Sequence, residues 1–286
     1  MDTGPVSHRW EDWTWDPTVF EGTAAYYWRG RYPYAVGLPE AMAAHLGLDG
    51  TGRLLDVGCG PGSLALLVAH LFEHVVGVDA DPGMVAEAER AAVERGITSA
   101  EFVQMRAELL PGAFGTFRVV GFAQSFHWMD RPRVAAAARE MLEPGGCVVQ
   151  VDLWHSGPVH TADPRSPYPS VPEAAIDGLR RRWLGPDRRA GQGLRNTSPG
   201  DEDEVFQRAG FAPEELVSVP DDRVLVRSVD DVVAWVLSTS STAPHLFGDG
   251  LGAFVQELRA LLLDVSPSGR FSASLAENRL RIRRPG

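Results

Sequence analysis

Arg53–Gly62, RLLDVGCGPG, is the stretch whose reading decides the fold. Arg53–Val57 holds two leucines and a valine and reads as a short buried strand with an aspartate near its end. Gly58, Gly60 and Gly62 form a G-x-G-x-G turn, and Ser63–Leu71 (SLALLVAHL) reads as an apolar helix. A strand passing through a glycine turn into a helix predicts an α/β sheet whose turn offers backbone N–H groups to a ligand. Glycine suits such a turn because it tolerates positive φ and lets a ligand approach the backbone. Val75–Asp79, VVGVD, is a second strand ending in a carboxylate. It ends about 20 residues beyond the glycines, the separation of an acid that binds a ribose diol.

Outward from this core, strands and helices alternate. Leu38–Leu48 reads as a short amphipathic helix, Pro82–Arg95 as a helix with proline in its first turn, and Arg131–Leu142 as an Ala-rich helix ended by Pro144–Gly146. Further strands are expected at Ala100–Met105, Phe117–Ala123, Cys147–Leu153, Glu215–Val219 and Leu280–Arg283, with another extended piece at Arg223–Arg227. The alternation predicts an α/β fold, a doubly wound, mostly parallel seven-stranded sheet with helical cap insertions and ligands at the carboxyl ends of the strands. The expected organisation is an N-terminal aromatic flap (1–37), an α/β core (38–154), an insertion or cap (155–200) and the rest of the sheet (201–286), with a helical cap at about 229–264. The insertion carries seven prolines and a basic helix, Glu173–Leu184, and is too long for an ordinary connection.

Composition excludes several functions. Of 286 residues, 44% are hydrophobic and 23% charged, which is globular, and the net charge of −11 argues against a nucleic-acid surface. The 27 basic residues are all arginine, so no lysine is present to act as a base or Schiff-base former. Cys59 and Cys147 are read as reduced, no metal spacing is found, and no apolar stretch has spanning length. The expectation is a cytoplasmic protein, a monomer or homodimer, with no membrane or nucleic-acid partner.

Asp56 distinguishes two cofactor classes. A carboxylate just before the first glycine repels a pyrophosphate but suits an ammonium. S-adenosylmethionine (SAM) carries an ammonium, a sulfonium and a ribose, and no phosphate. DVGCGPG followed by VVGVDADPGM resembles the SAM-binding motifs of class I methyltransferases. FEGTAAYYWRGRYPY, RAELLP, QSFHWMDRPRV, EPGG, WLGPDRRAGQG and STSSTAPHLFGD extend the resemblance to nearly the whole chain. They are similar to a branch with an F-H-W motif related to the trans-aconitate methyltransferase type.

The resemblance implies that Asp56 and the backbone of Gly58 and Gly60 hold the methionyl part, and that Asp79 takes both ribose hydroxyls. It implies that Ala80 and Met84 line the adenine pocket, that Ala107 offers a backbone N–H to adenine, and that Gln124 lies beside the methionyl part. Arg106 stands where many relatives have Asp. Arginine cannot accept a hydrogen bond, so Glu108 or a backbone carbonyl is left to receive the adenine amino group. Gly30 and Tyr32 also depart from the pattern, which more often shows Tyr and Pro.

Methyl transfer from a sulfonium is an in-line displacement with a neutral leaving group, so a base is needed only for a protonated nucleophile. His127, after the fourth strand, is the candidate base, and the alternative is a histidine that braces the loop. Trp128 either walls the substrate pocket or belongs to the core, His155 and Asp152 after the fifth strand are weaker candidates, and Asp130 reads as a helix N-cap. Phe20–Tyr34 either staples the N-terminus or covers the cofactor, with Tyr26 and Tyr27 as aromatic faces and Arg29 or Arg31 on the methionyl carboxylate. Arg180, Arg181, Arg182, Arg188 and Arg189 are either a solvated face or an entrance for an anionic substrate. The function expected is SAM-dependent methylation of a small molecule, with S-adenosylhomocysteine (SAH) as product and a tailoring role in specialised metabolism. The alternative is a SAM-binding protein without methyl transfer.

Overall fold

The computed structural model describes residues 15–153, 165–194, 201–275 and 277–286. After helices α1 (Ala24–Gly30) and α2 (Leu38–Leu46), the chain runs β1 (Arg53–Val57), α3 (Ser63–Val68), β2 (His74–Asp79), α4 (Pro82–Glu94), β3 (Ala100–Gln104), β4 (Phe117–Ala123), α5 (Arg131–Glu140) and β5 (Leu142–Leu153). Helix α6 (Glu173–Leu184) precedes a small hairpin of β6 (Arg189–Ala190) and β7 (Gly193–Leu194). Then come α7 (Glu202–Arg208), β8 (Glu215–Val219), β9 (Val224–Ser228), α8 (Val229–Leu237), α9 (Leu251–Val265), β10 (Arg270–Ser274) and β11 (Asn278–Arg283).

The central sheet has seven strands in the order β3-β2-β1-β4-β5-β11-β8. Neighbours from β3 to β5 pair in parallel, while β11 is antiparallel to both β5 and β8. Side chains alternate across the sheet with a period of two residues. Leu54 therefore packs with α2, α3 and α4 on one face, while Leu55 and Val57 pack with α5 and α7 on the other. Strand order reverses between β1 and β4, which opens a crevice at their carboxyl ends.

Strand β5 begins earlier than its apolar run. Leu142 pairs with Phe117, the register shifts across the Glu143–Gly146 segment, and pairing resumes with Val119 opposite Cys147. The extended piece RVLVR lies outside the central sheet, since β9 pairs with β10 in a separate antiparallel ribbon. Ile176, Leu179, Val232, Val236, Phe254 and Phe271 form a third hydrophobic cluster from α6, α8, α9 and β10. Arg180 is buried in this layer, where its Nε donates to Asp177 and its Nη1 to the Asp187 carbonyl. Arg181 also pairs with Asp177, and Arg182 lies 3.6 Å from Glu257. Arg180 thus braces the layer, whereas Arg181 and Arg182 are exposed on its solvated face.

Helix α1 joins this layer to the sheet. It lies so close to α8 that a Cβ on Gly30 would stand 2.4 Å from the Ala234 carbonyl oxygen. Arg227 Nη2 donates to the Gly30 carbonyl at 2.7 Å and to that of Asp231 at 2.7 Å, and the guanidinium lies over the Tyr32 ring. Gly30 and Tyr32, the two departures in the N-terminal segment, both belong to this junction. Gly30→Ala is expected to lower stability by about 1–3 kcal/mol through overpacking, despite alanine's better helix propensity. Urea unfolding of both proteins checks this, and an unchanged midpoint would show that the helices can separate freely.

Candidate functional site

The glycine turn is held from within. The Gly58 N–H donates to the Val78 carbonyl at 2.8 Å, and the Cys59 N–H donates to the same oxygen at 3.0 Å. The Gly60 N–H donates to Asp79 Oδ2 at 2.8 Å. Both N–H groups thus already have partners within the turn, while Gly58 and Gly60 still line the cleft. Gly58 has φ +68°, and a Cβ there would meet the Ser125 side chain at 2.6 Å. Ser125 itself donates to the Val57 carbonyl at 2.5 Å, locking the β4 end against the β1 end.

Asp79 faces the cleft with both oxygens in use. Oδ1 accepts from the Asp81 N–H at 2.9 Å, and Asp81 in turn caps α4 through the Met84 N–H. Burial lifts the Asp79 carboxyl to about 6. Asp56 lies elsewhere than the sequence suggested. The strand's two-residue alternation puts it on the Leu54 face, beneath α3, so it does not line the cleft directly. It is fully buried, and its Oδ2 accepts from the Ala65 N–H at 3.1 Å. Its Oδ1 has no partner among the described residues. Burial, with the nearby charge of Asp79, lifts its carboxyl to about 7.

The cleft opens at the carboxyl ends of β1 to β4, with about 650 Å³ of space that includes its open mouth. Gly58, Gly60 and Asp79 form its floor, and Ala80 and Met84 one wall. Arg106, Ala107 and Glu108 form the opposite wall. Glu108 is buried, with Oε1 accepting from the Asp130 N–H at 3.0 Å and Oε2 from Arg106 Nε at 3.3 Å. Asp130 is an N-cap, its Oδ1 accepting from the Arg133 N–H at the start of α5. Gln124, Ser125, Trp128 and Met129 close the β4 side, and Trp15, Phe20 and Tyr27 cover the top. Phe20 meets Trp128 edge to face at 5.5 Å.

Phe126–Trp128 is a 3₁₀ turn, a shape with three residues per turn that spreads successive side chains to different sides. Phe126 enters the core and stacks on Phe206 at 4.7 Å, and Trp128 enters the cleft. His127 is half-buried and is not among the residues that line the cleft, which favours the alternative of a histidine that braces the loop. The N-terminal segment divides similarly. Tyr27 reaches the cleft, whereas Tyr26 packs on the α8–α9 layer. Arg29 donates to Asp231 and Asp230 on α8 and is drawn away from the cleft. Arg31 lies over the Tyr27 ring at 4.9 Å and donates to the Ser238 carbonyl, while its Nε is buried without a partner among the described residues. His155 lies outside the described residues, as do His8 and His160. Among the described residues no group of three or more His, Cys, Asp or Glu is placed to hold a metal, and no helix is long and apolar enough to cross a membrane.

Trp15, Phe20, Ser125 and Met129 are cleft residues that sequence reasoning did not single out for the site. Their placement depends on which way a turn rotates, and nothing in residue type announces it.

Residues 54–146 match the methyltransferase domain family. Within this region lie the glycine turn, the Asp79 strand end and the F-H-W turn. The chain is 36% identical over 109 residues to a ubiquinone biosynthesis O-methyltransferase of Cereibacter sphaeroides, covering 38% of this chain and 43% of that one. It is 31% identical over 112 residues to a 2-heptyl-1-hydroxyquinolin-4(1H)-one methyltransferase of Mycobacteroides abscessus, covering 38% and 49%. The match therefore spans less than half the length of either relative. Among solved structures, a putative methyltransferase of Bacillus halodurans is 18% identical with a TM-score of 0.49, covering 87% of this chain and 100% of that one. Over residues 54–146, about a third of the chain, the sequence is thus similar to a methyltransferase domain.

Proposed function

We propose that this protein transfers a methyl group from SAM to a small-molecule acceptor. The observation that carries the reading is a pair of buried polar atoms of opposite character, Asp56 Oδ1 and Arg31 Nε, neither with a partner among the described residues. Both side chains lie near enough to the Tyr34 hydroxyl to act on its ionisation, alongside Tyr27 and Asp152. Burial is the main influence there and pushes the Tyr34 phenol well above its ordinary value. A buried polar atom without a partner costs about 1–3 kcal/mol, so such a pair favours a ligand that supplies both partners. An α-amino-acid end does so, with an ammonium for the acid and a carboxylate for the arginine. A nicotinamide dinucleotide has no such end, and its pyrophosphate would face N–H groups already engaged.

The remaining contacts fit the same ligand. Each Asp79 oxygen accepts one backbone N–H, and a carboxylate has about four acceptor positions, which leaves one per oxygen for a ribose diol. Ala80, Met84, Met105 and Ala107 offer apolar surface to a flat base. When bound, SAM supplies the electrophilic methyl group. The chain's residues bind, orient and exclude water, and positioning is worth about 7–11 kcal/mol in model reactions. The net charge of −11 and an aromatic cover of Trp15, Phe20 and Tyr27 favour a compact, uncharged or cationic acceptor over nucleic acid. The two relatives, named for ubiquinone biosynthesis and for a hydroxyquinolinone, support an acceptor of this size. A cytoplasmic location and a role in specialised metabolism remain part of the proposal.

Calorimetry with SAM, SAH and NADH tests the cofactor, and a methyl-donor turnover assay over a metabolite panel tests the transfer. Asp79→Ala is expected to weaken SAM and SAH alike by roughly 5- to 150-fold, the equivalent of about 1–3 kcal/mol. Unchanged SAH affinity in that variant would remove the ribose assignment. His127→Gln is expected to keep turnover within a few fold of wild type, and a large fall in kcat with SAH binding intact would restore it as a base.

Asp56 also gives a pH signature without ligand. The unfolded carboxyl ionises at about 3.8, whereas the folded one stays protonated until about 7. The native state therefore binds more protons between these values, so this group's contribution to stability is full below the lower value and lost as pH rises through the upper. The total is on the order of a few kcal/mol. Asp56→Asn removes this slope. Urea unfolding of both proteins at pH 4.5 and 7.5 should show wild type losing ground to the variant as pH rises, and parallel profiles would refute it.

A further inference from the structure

Gln124 is the one non-glycine residue with positive φ among the described residues, at 57°. That conformation is uncommon for a residue with a Cβ, and other contacts must hold it. Its side chain shows how. Nε2 donates to the Val151 carbonyl at 3.3 Å and to Asp152 Oδ1 at 3.1 Å, both at the carboxyl end of β5. Both partners are acceptors, so only the amide nitrogen can face them, and the orientation of the amide is determined. Oε1 is accordingly turned away from β5. Gln124 lines the cleft, and the charge of Asp152, like those of Asp56 and Arg31, acts on the ionisation of Tyr34, at the end assigned above to the amino-acid part of the ligand.

We propose that Asp152 is a positioning residue that holds the Gln124 amide nitrogen and so presents Oε1 to the cleft as a fixed acceptor for the ligand's ammonium. The inference rests on the SAM reading. The ammonium gains a neutral acceptor in addition to the Asp56 carboxylate, and a donor in place of Oε1 would oppose it. Asp152→Asn frees the amide, because an asparagine can present either an acceptor or a donor. Gln124→Gly removes the amide and suits the left-handed backbone, so it keeps the fold.

Two measurements separate positioning from a simple tie between strand ends. In protein labelled with ¹⁵N-glutamine, the Gln124 side-chain NH₂ signal, assigned by its loss in Gln124→Gly, should exchange slowly with solvent. In Asp152→Asn it should move and exchange faster. In calorimetry, wild type should bind both SAH and 5′-methylthioadenosine, the same nucleoside without the amino-acid end. Asp152→Asn and Gln124→Gly should each lose about tenfold or more in SAH affinity while 5′-methylthioadenosine stays within twofold. Equal losses for both ligands, unchanged SAH affinity or an unmoved NH₂ signal would each overturn the proposal. Wild type binding neither ligand would overturn the SAM reading and this assignment with it, whereas failure confined to the variants overturns only this one.

Discussion

The hydrogen bond from the Gly60 N–H to Asp79 Oδ2 connects the two strand ends that define the cleft. It fixes the glycine turn over β2, and Asp79 extends the link through Asp81 to the first turn of α4. Ser125 completes the arrangement from the other side by bonding the end of β1. Each link is a single hydrogen bond made at low exposure, where a lost partner is costly. The floor is therefore set before any ligand arrives, and the carboxylate that fixes it is the one with acceptor capacity left over.

The cover of the cleft has a different origin from its floor. Tyr27 belongs to α1, and α1 is bound to α8 by close backbone approach at Gly30 and by Arg227. Arg29 reinforces that junction through Asp230 and Asp231. The floor comes from the central sheet and the cover from a helix attached to a separate hydrophobic cluster. A site built this way keeps its floor on rigid strand ends and its cover on an element that can change without disturbing the sheet.

Much of this was legible in the sequence. The runs RLLDV and VVGVD, the glycines and the alternation of strands with helices point to the sheet and to Asp79, while Ala80 and Met84 follow from the resemblance. Asp56 precedes the glycines, which points it to a ligand, and the same two-residue period that identifies the strand sets it beneath α3, behind the cleft lining, with Oδ1 as the oxygen left over. His127 was harder to place, since residue type does not reveal that Phe126–Trp128 tightens into a 3₁₀ turn and delivers Trp128 instead. β10, RFSAS, has no apolar run or clean alternation and becomes a strand only because β9 lies beside it. Which arginines are free and which are engaged depends on distant acids such as Asp231, and no local pattern encodes that.

The antiparallel strand β11 carries a consequence for how the molecule assembles. β8 has no contact with β5 in the sheet except through β11, which follows both in the chain. During synthesis β5 therefore emerges with one edge open, and β8 emerges with nothing to join. Open edges of this kind recruit other chains, and pairings between distant segments form slowly. On insertion β11 pairs with both in one step, so this side of the sheet forms only after β11 has been made.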